Sequence, residues 1–191
     1  ILMASAVHLA AAQAPKDSAV IKFSGYAEVY FSYDLARPEN NERPAFLYNH
    51  VRAGEVAVNL ALLRAEYTHD RVRAAVGLMA GNYAQYNLAA EPSALQHLYE
   101  ATVGVRLSRT RDLWLDAGVF PSHIGSEGAI GMDSPTLTRS IVADNSPYYE
   151  SGARLGYRPS SKWYLAAFLL NGWQQIQRPD GWTGMAGGTQ L

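Results

Sequence analysis

The sequence contains no cysteine among its 191 residues. Disulfide bonds, zinc–thiolate sites and cysteine nucleophiles are therefore excluded as explanations of its fold or function. It also has no excess of either charge, with 16 Lys and Arg against 17 Asp and Glu, so nothing favours nucleic acid as a partner. Beyond the first residues, no apolar run approaches the roughly 20 residues that a membrane-spanning helix needs.

The first 18 residues, ILMASAVHLAAAQAPKDS, differ in composition from the rest of the chain. They begin apolar, continue with small residues and end polar, which is typical of the h-region and cleavage site of a secretory signal peptide. Residues 1–12 are therefore interpreted as the C-terminal part of a signal peptide, with cleavage after Ala12 or alternatively after Ala14. A short buried helix is the competing interpretation. No basic residue precedes the apolar run, which indicates that the natural N-terminus lies upstream.

Alternation of apolar and polar side chains is the strongest pattern in the remaining sequence. Within residues 21–34, Phe23 and Phe31 occupy one set of alternate positions, and Lys22 and Glu28 occupy the other. A β-strand points successive side chains to opposite faces, so this segment predicts a strand with one apolar and one polar face. The same alternation of apolar and polar side chains predicts six further strands, at 52–67, 71–82, 97–107, 112–120, 148–158 and 162–172.

The connections between these predicted strands alternate between long and short. In an up-and-down sheet, all long loops then lie at one end and all tight turns at the other, as in outer-membrane barrels. We therefore predict an all-β, up-and-down antiparallel transmembrane β-barrel, incomplete here, with about seven strands. Its apolar face would contact lipid and its polar face would surround a water-filled lumen. The alternative is a soluble antiparallel sheet with one buried face.

Residues 22–191 contain, in order, the segments ARPENNERPAFLYNHVR, NLALLRAEY, AAEPSALQHLYEATVGVRL, RDLWLDAGVFPSHIGSEGAIGMDSPTLTRS and NSPYYESGARLGY. These segments resemble the OmpL-like β-barrel porins of Gram-negative bacteria. The resemblance implies an outer-membrane channel for small solutes and brings no defined set of functional residues. Members of that family are longer than this chain, and single-chain bacterial barrels have an even number of strands. Residues 19–191 are therefore interpreted as the N-terminal part of a barrel domain that is truncated at its C-terminus, with the final GGTQL in an outer loop.

The polar faces of the predicted strands supply candidate pore-lining residues. These are Lys22, Glu28, Glu55, Asn59, Arg73, Glu100, Arg106, Asp116, Glu150 and Arg154. Because both signs of charge occur, the sequence predicts no strong preference for anions or cations. The alternative is that many of these residues only pair across the lumen and hold the barrel wall.

The connection at 121–147 is the longest, and long loops without regular structure are usually functional. Folded into the lumen, it would narrow the channel and place four candidate residues at the constriction: Glu127, Asp133, Arg139 and Asp144. Folded outward, it would cover the mouth of the barrel or contact a neighbouring subunit. The sequence leaves both arrangements open.

The expected function is that of a porin in the cell outer membrane, through which small hydrophilic solutes diffuse passively. Its expected partners are outer-membrane lipid and small solutes or ions, without nucleic acid, and a homo-oligomer is a further hypothesis. No catalytic residue, cofactor or metal is expected, because Ser122 and His123 lack a third partner and the five histidines have no metal-ligand spacing. The alternatives are a non-conducting barrel whose extracellular loops have a structural or binding role, and an outer-membrane hydrolase.

Overall fold

The computed structural model of the protein describes residues 19–191, so the predicted signal-peptide segment lies outside the described residues. Eight strands form one antiparallel sheet in which each strand pairs with its neighbours in the sequence. The strands are β1 Val20–Phe31, β2 Val56–His69, β3 Val72–Ala80, β4 Leu98–Arg106, β5 Asp112–Pro121, β6 Tyr149–Ser160, β7 Trp163–Leu170 and β8 Ala186–Gln190. The predicted all-β, up-and-down architecture is confirmed.

The predicted number of seven strands is one too few. The additional strand, β8, pairs with β7 from Ala166↔Gln190 to Leu170↔Ala186. Gly187 and Gly188 deprive it of any apolar–polar alternation, so no strand pattern is visible in the sequence. The placement of GGTQL in an outer loop is wrong for the same reason. Within residues 19–191 the sheet is not closed, because β1 and β8 do not pair with each other.

Four long loops connect the strands at one end of the sheet, and three short turns connect them at the other. We name the loops L1 (32–55), L2 (81–97), L3 (122–148) and L4 (171–185). L2 contains helix α1, Asn82–Asn87, and the 3-10 helix Leu95–His97; L3 contains the 3-10 helix Gly131–Asp133 and helix α2, Ile141–Asp144. In the part of the chain that the structure describes, no helix is long and apolar enough to cross a membrane.

The sheet has an exposed outer face and a covered inner face. Apolar side chains dominate the outer face, among them Ile21, Phe23, Phe31, Val58, Leu63, Val76, Leu78, Val103, Val105, Leu155 and Leu169, all of them exposed. The loops pack against the loop end of the inner face, and the main apolar core lies between them. This core joins Leu60, Leu62 and Met79 of the sheet to Tyr83 and Leu88 of L2 and to Ala129 and Ala143 of L3.

Irregular strand pairing moves some side chains to the face opposite the predicted one. Alternation places Leu60 and Leu62 outward with Val58, but both leucines are buried on the inner face. The reason is a β-bulge: Val29 pairs with Val58 and Glu28 pairs with Leu60, so Asn59 is left without a partner across the ladder. A bulge adds one residue to one strand and inverts the alternation beyond it. A second irregularity, between Gly77 and Leu78, similarly turns Tyr99 towards the core.

Candidate functional site

Ion pairs cross the inner face of the sheet. Arg64 on β2 donates through Nε to Glu100 on β4 at 2.7 Å. Asp116 on β5 lies between Arg73 on β3 and Arg154 on β6, at nitrogen–oxygen distances of 2.6 and 3.2 Å. Glu100 and Asp116 are both buried, and a buried carboxylate is tolerated only when cations and hydrogen bonds surround it. These five side chains are therefore held in fixed ion pairs.

A glycine allows one of these pairs to span a strand. In the register of the sheet, Gly104 on β4 lies directly between Arg73 and Asp116. A Cβ atom at Gly104 would lie 2.2 Å from Asp116 Oδ1 and 3.0 Å from Arg73 Cγ. The arginine can therefore cross β4 only because this position has no side chain.

The same arrangement recurs closer to the loops. Gly77 on β3 lies between Arg64 and Glu100 in the register. The inner face thus repeats one cross-strand unit, an arginine and a carboxylate two strands apart with a glycine on the strand between them. Arg64 and the two glycines were absent from the predicted site. A sequence signal for this unit does exist. It consists of an arginine, a glycine and a carboxylate at polar-face positions of three successive strands.

The structure separates the ten predicted pore-lining residues. Five form ion pairs on the inner face: Lys22, Arg73, Glu100, Asp116 and Arg154. Three are buried beneath the loops: Glu28, Asn59 and Glu150. Arg106 lies on the inner face with no carboxylate of residues 19–191 within 4.0 Å. Glu55 is not on a strand, because β2 begins at Val56, and it pairs with Arg52 at 2.6 Å.

Loop L3 packs onto the inner face. Its Ala129 is buried in the same apolar cluster as Leu60 and Met79. A Cβ atom at Gly131 would lie 2.6 Å from Glu28 Oε1 on β1, so the loop backbone approaches the strand as closely as a glycine permits. L3 therefore covers part of the polar surface that alternation predicts for the interior.

Glu28 is the point at which β1, β2, L1 and L3 meet. It is 3% exposed, accepts a hydrogen bond from Asn59 Nδ2 at 2.9 Å, and lies 2.9 Å from His50 Nε2. Arg139 Nη2 of L3 lies 3.5 Å from Glu28 and donates to the carbonyl oxygen of Ala129 at 2.7 Å. Removing one partner of such a buried pair is costly, because it leaves the other charge uncompensated. Glu28 and Arg139 thus hold L3 against β1.

Asp144 links L3 to L1. Its Oδ1 accepts hydrogen bonds from Asn49 Nδ2 at 3.1 Å and from the hydroxyl of Tyr148 at 2.7 Å. Asn49 in turn accepts from Asn59 Nδ2 at 3.2 Å. A continuous chain of hydrogen bonds therefore runs from Glu28 to Asp144. Burial and the Asp144 carboxylate raise the pKa of Tyr148.

Glu127 instead closes L3 on itself. Its carboxylate accepts hydrogen bonds from the backbone N–H groups of Ser140 at 3.0 Å and Thr136 at 3.2 Å, and from both hydroxyl groups. These bonds, the Ser140 hydroxyl first, lower the pKa of Glu127 to about 2 because they favour the ionised form. Asp133, the fourth predicted constriction residue, is exposed. Of the four, only Arg139 and Asp144 are buried against other elements.

Glu91 forms a second junction that the sequence pattern does not reveal. It is buried in L2 and accepts hydrogen bonds from the backbone N–H groups of Ile176 at 2.6 Å and Gln177 at 3.1 Å in L4. The hydroxyl of Tyr149, the first residue of β6, donates to it at 3.2 Å, so the side chain of this tyrosine lies in the interior. L1 to L4 are thus hydrogen-bonded to one another or to the sheet, and we refer to them together as the loop layer.

The adjacent Ser122 and His123 have separate environments. His123 stacks on Phe168 with ring centroids 4.0 Å apart, and burial together with nearby Arg154 lowers its pKa. The hydroxyl of Ser122 accepts a hydrogen bond from the backbone N–H of Ile124 at 3.0 Å. Each side chain therefore has its own structural contact.

An up-and-down sheet with an apolar exposed face, a charged inner face and all long loops at one end defines the class of β-barrel porins. The chain belongs to the family described as "Putative beta-barrel porin-2, OmpL-like", whose model matches residues 20–191. The resemblance drawn from the sequence motifs is thereby confirmed. Membership of this family implies an outer-membrane location and suggests a protein that is not an enzyme. No curated protein and no solved structure matches the chain.

Proposed function

We propose that the protein is an outer-membrane porin through which small hydrophilic solutes and ions diffuse passively. The observation that supports this most directly is the division of the sheet into an exposed apolar face and a charged inner face. Hydrocarbon favours the first surface and water the second. The solute moves down its own gradient, so transport requires no cofactor and no chemical step.

The outer face supports lipid as its partner. Phe23 and Leu63 are 69% and 72% exposed, and similar side chains continue across β1 to β7. Monomeric soluble proteins rarely expose an apolar surface of this extent. Delivery to the outer membrane requires export, and residues 1–12 are the proposed signal segment for it.

A pore in lipid also requires a closed wall, because unpaired strand edges have no hydrogen-bond partners in hydrocarbon. β1 and β8 do not pair with each other. We propose that further strands pair with these edges, either outside residues 19–191 or from a second copy of the chain in a homo-oligomer. The inner face of β1 to β8 would then form one side of the lumen.

Within that lumen, the loop layer sets the size of the passage. L3 lies over the inner face, held by the contact of Arg139 with Glu28 and by the apolar contacts of Ala129. The open cross-section is therefore smaller than the sheet alone would allow. Displacing L3 would widen the route without changing the wall.

Solute uptake by liposomes tests this proposal. With the full chain folded into liposomes, swelling rates should fall steadily for sugars of increasing size. Arg139→Met removes the guanidinium group that holds L3, so larger sugars should enter the liposomes. Arg37→Met is the matched control and should leave sugar uptake unchanged, because Arg37 is exposed in L1. Both arginines have a positive φ, 49° at Arg37 and 69° at Arg139, so the two substitutions are made in similar backbone conformations. Folded protein that admits no sugar contradicts the proposal.

A non-conducting barrel with a structural or binding role is the alternative, and one observation favours it. The loop layer is extensively hydrogen-bonded, and it buries Glu28, His50 and Asn59 on or above the inner face. Such packing would also suit a barrel whose interior is permanently filled. The loops of that barrel would then act as its binding surface. Planar bilayers separate the two functions, because a filled barrel inserts without producing ion current.

A further inference from the structure

The charges of the inner face do not balance once its ion pairs are taken into account. Seven basic residues lie on this face or at its rim beside the short turns: Lys22, Arg64, Arg71, Arg73, Arg106, Arg154 and Arg158. Four acidic residues on the strands accompany them: Glu66, Glu100, Asp112 and Asp116. Each of these four has a basic partner within 4.0 Å. Three positive charges are therefore left over: one because Asp116 is shared by Arg73 and Arg154, and two on arginines without such a partner.

Arg71 and Arg106 are those arginines. Among residues 19–191, neither has a carboxylate within 4.0 Å. Arg71 donates through Nε and Nη2 to the backbone carbonyl of Arg106, at 3.2 and 2.9 Å. The Nε of Arg106 is buried and has no hydrogen-bond partner in the described structure. The guanidinium group of Arg71 is thus held against the backbone of Arg106 at the turn end of the inner face.

An aromatic ring lies beside this pair. Trp114 on β5 pairs directly with Arg106 on β4. The guanidinium group of Arg73 lies over its ring, 4.3 Å from the centroid, and its indole N–H donates to Asp112 at 2.7 Å. These two contacts fix the orientation of the ring next to the unpaired arginines.

We infer that the turn-end rim around Arg71, Arg106 and Trp114 is a binding site for small anions, such as carboxylates and phosphates, and gives the pore a preference for anions. Guanidinium groups bind both classes through paired N–H donors. A surplus of positive charge at the rim of a pore raises the local concentration of anions. The inference rests on the proposed pore, and it replaces the expectation of no charge preference. That expectation counts Glu28 and Glu150 as lumen charges, whereas both are buried beneath the loops.

Reversal potentials in planar bilayers test the preference. Under a KCl gradient, the ratio of chloride to potassium permeability should exceed one, and Arg106→Gln should lower that ratio by about twofold. Arg109→Gln is the matched control, because it removes the same charge from an exposed residue of the adjacent turn and should leave the ratio unchanged. A ratio of one or less, or equal effects of the two substitutions, overturns the anion site while leaving a conducting porin.

Fluorescence quenching tests the site without any current, so that failure of the pore is distinguishable from failure of the site. The difference between the protein and its Trp114→Phe variant, both folded in detergent, isolates the emission of Trp114. Iodide should quench this emission at least twofold less efficiently in Arg106→Gln, whereas neutral acrylamide should quench both equally. Equal quenching by iodide with and without the Arg106 charge would overturn the inference.

Discussion

At the scale of single residues, Glu127 shows how one carboxylate shapes a loop. Within residues 19–191 its hydrogen bonds come from Thr136 and Ser140 alone, so it organises L3 from inside the loop. Its pKa is about 2 in the folded loop, against an ordinary value of 4.5. As the pH falls, the Glu127 carboxylate therefore binds a proton at a higher pH in the unfolded loop than in the folded loop. The stabilisation is complete above pH 4.5 and is lost progressively as the pH falls towards 2.

Hydrogen exchange of the amides that bind Glu127 measures this loss. We expect the protection factors of Ser140 and Thr136, corrected for intrinsic exchange, to be lower at pH 3 than at pH 6. Glu127→Gln should lower the protection at both pH values and abolish the difference between them. Protection in the unsubstituted protein that stays the same from pH 6 to pH 3 would contradict the assigned role.

At the scale of strands, the cross-strand unit of arginine, glycine and carboxylate ties β3 to β5 across β4. Gly104 has no room for a side chain, since a methyl group there would lie 2.2 Å from Asp116 Oδ1. Relief of that overlap requires Asp116 or Arg73 to move, which weakens their ion pair at 2.6 Å. The stability of the wall therefore depends on a residue that itself makes no polar side-chain contact.

Gly104→Ala should accordingly destabilise the folded protein by about 1–3 kcal/mol, the usual cost of overpacking. The free energy of urea unfolding in lipid vesicles measures the effect. Gly128→Ala is the matched control, because nothing lies within 4 Å of a Cβ atom at Gly128 in L3. Equal unfolding midpoints for the two variants would show that Arg73 and Asp116 rearrange without cost.

The strands also show where sequence patterns succeed and fail. Period-two alternation finds β1 to β7 and the outward faces of β3 and β7, because burial of one face imposes that period. It misplaces Leu60 and Leu62, because a bulge at Asn59 is set by tertiary pairing and leaves no mark in the pattern. It misses β8 because two adjacent glycines remove the side chains that alternation depends on.

For the site, the sequence predicts charges on strands but not their partners. Asp116 and Arg154 are found because they alternate with apolar neighbours. His50, Asn49 and Glu91 are missed, because loop residues that meet through the tertiary fold have no period in the sequence. Their contacts with residues up to 99 positions away become visible only in three dimensions.

At the scale of the whole molecule, the outer face distinguishes a membrane protein from a soluble sheet. Leu63 lies near the middle of β2 and is 72% exposed. In water, substitution of an exposed side chain usually changes stability by no more than about 0.5 kcal/mol. In hydrocarbon, an arginine on the lipid side of a barrel costs about 2–4 kcal/mol at the bilayer midplane. The same substitution thus has different consequences in the two environments.

We expect Leu63→Arg to lower the unfolding free energy in lipid vesicles by about 2–4 kcal/mol. Leu35→Arg is the matched control, because Leu35 is 89% exposed in L1 and should tolerate the charge. Denaturant titrations of both variants in the same vesicles provide the comparison. If the two variants are equally stable, β2 does not lie in the bilayer.

The separation of tight turns from the loop layer has a consequence for assembly. Hairpins β2–β3, β4–β5 and β6–β7 close over a few residues, so the loss of chain entropy on forming each is small. The contacts of the loop layer, such as Asn49 with Asp144 and Glu28 with Arg139, join segments about a hundred residues apart. They can form only once the intervening strands are in register. These contacts of the loop layer therefore form after β2 to β5, and an error in register among those strands would leave buried charges such as Glu28 and Arg139 without partners.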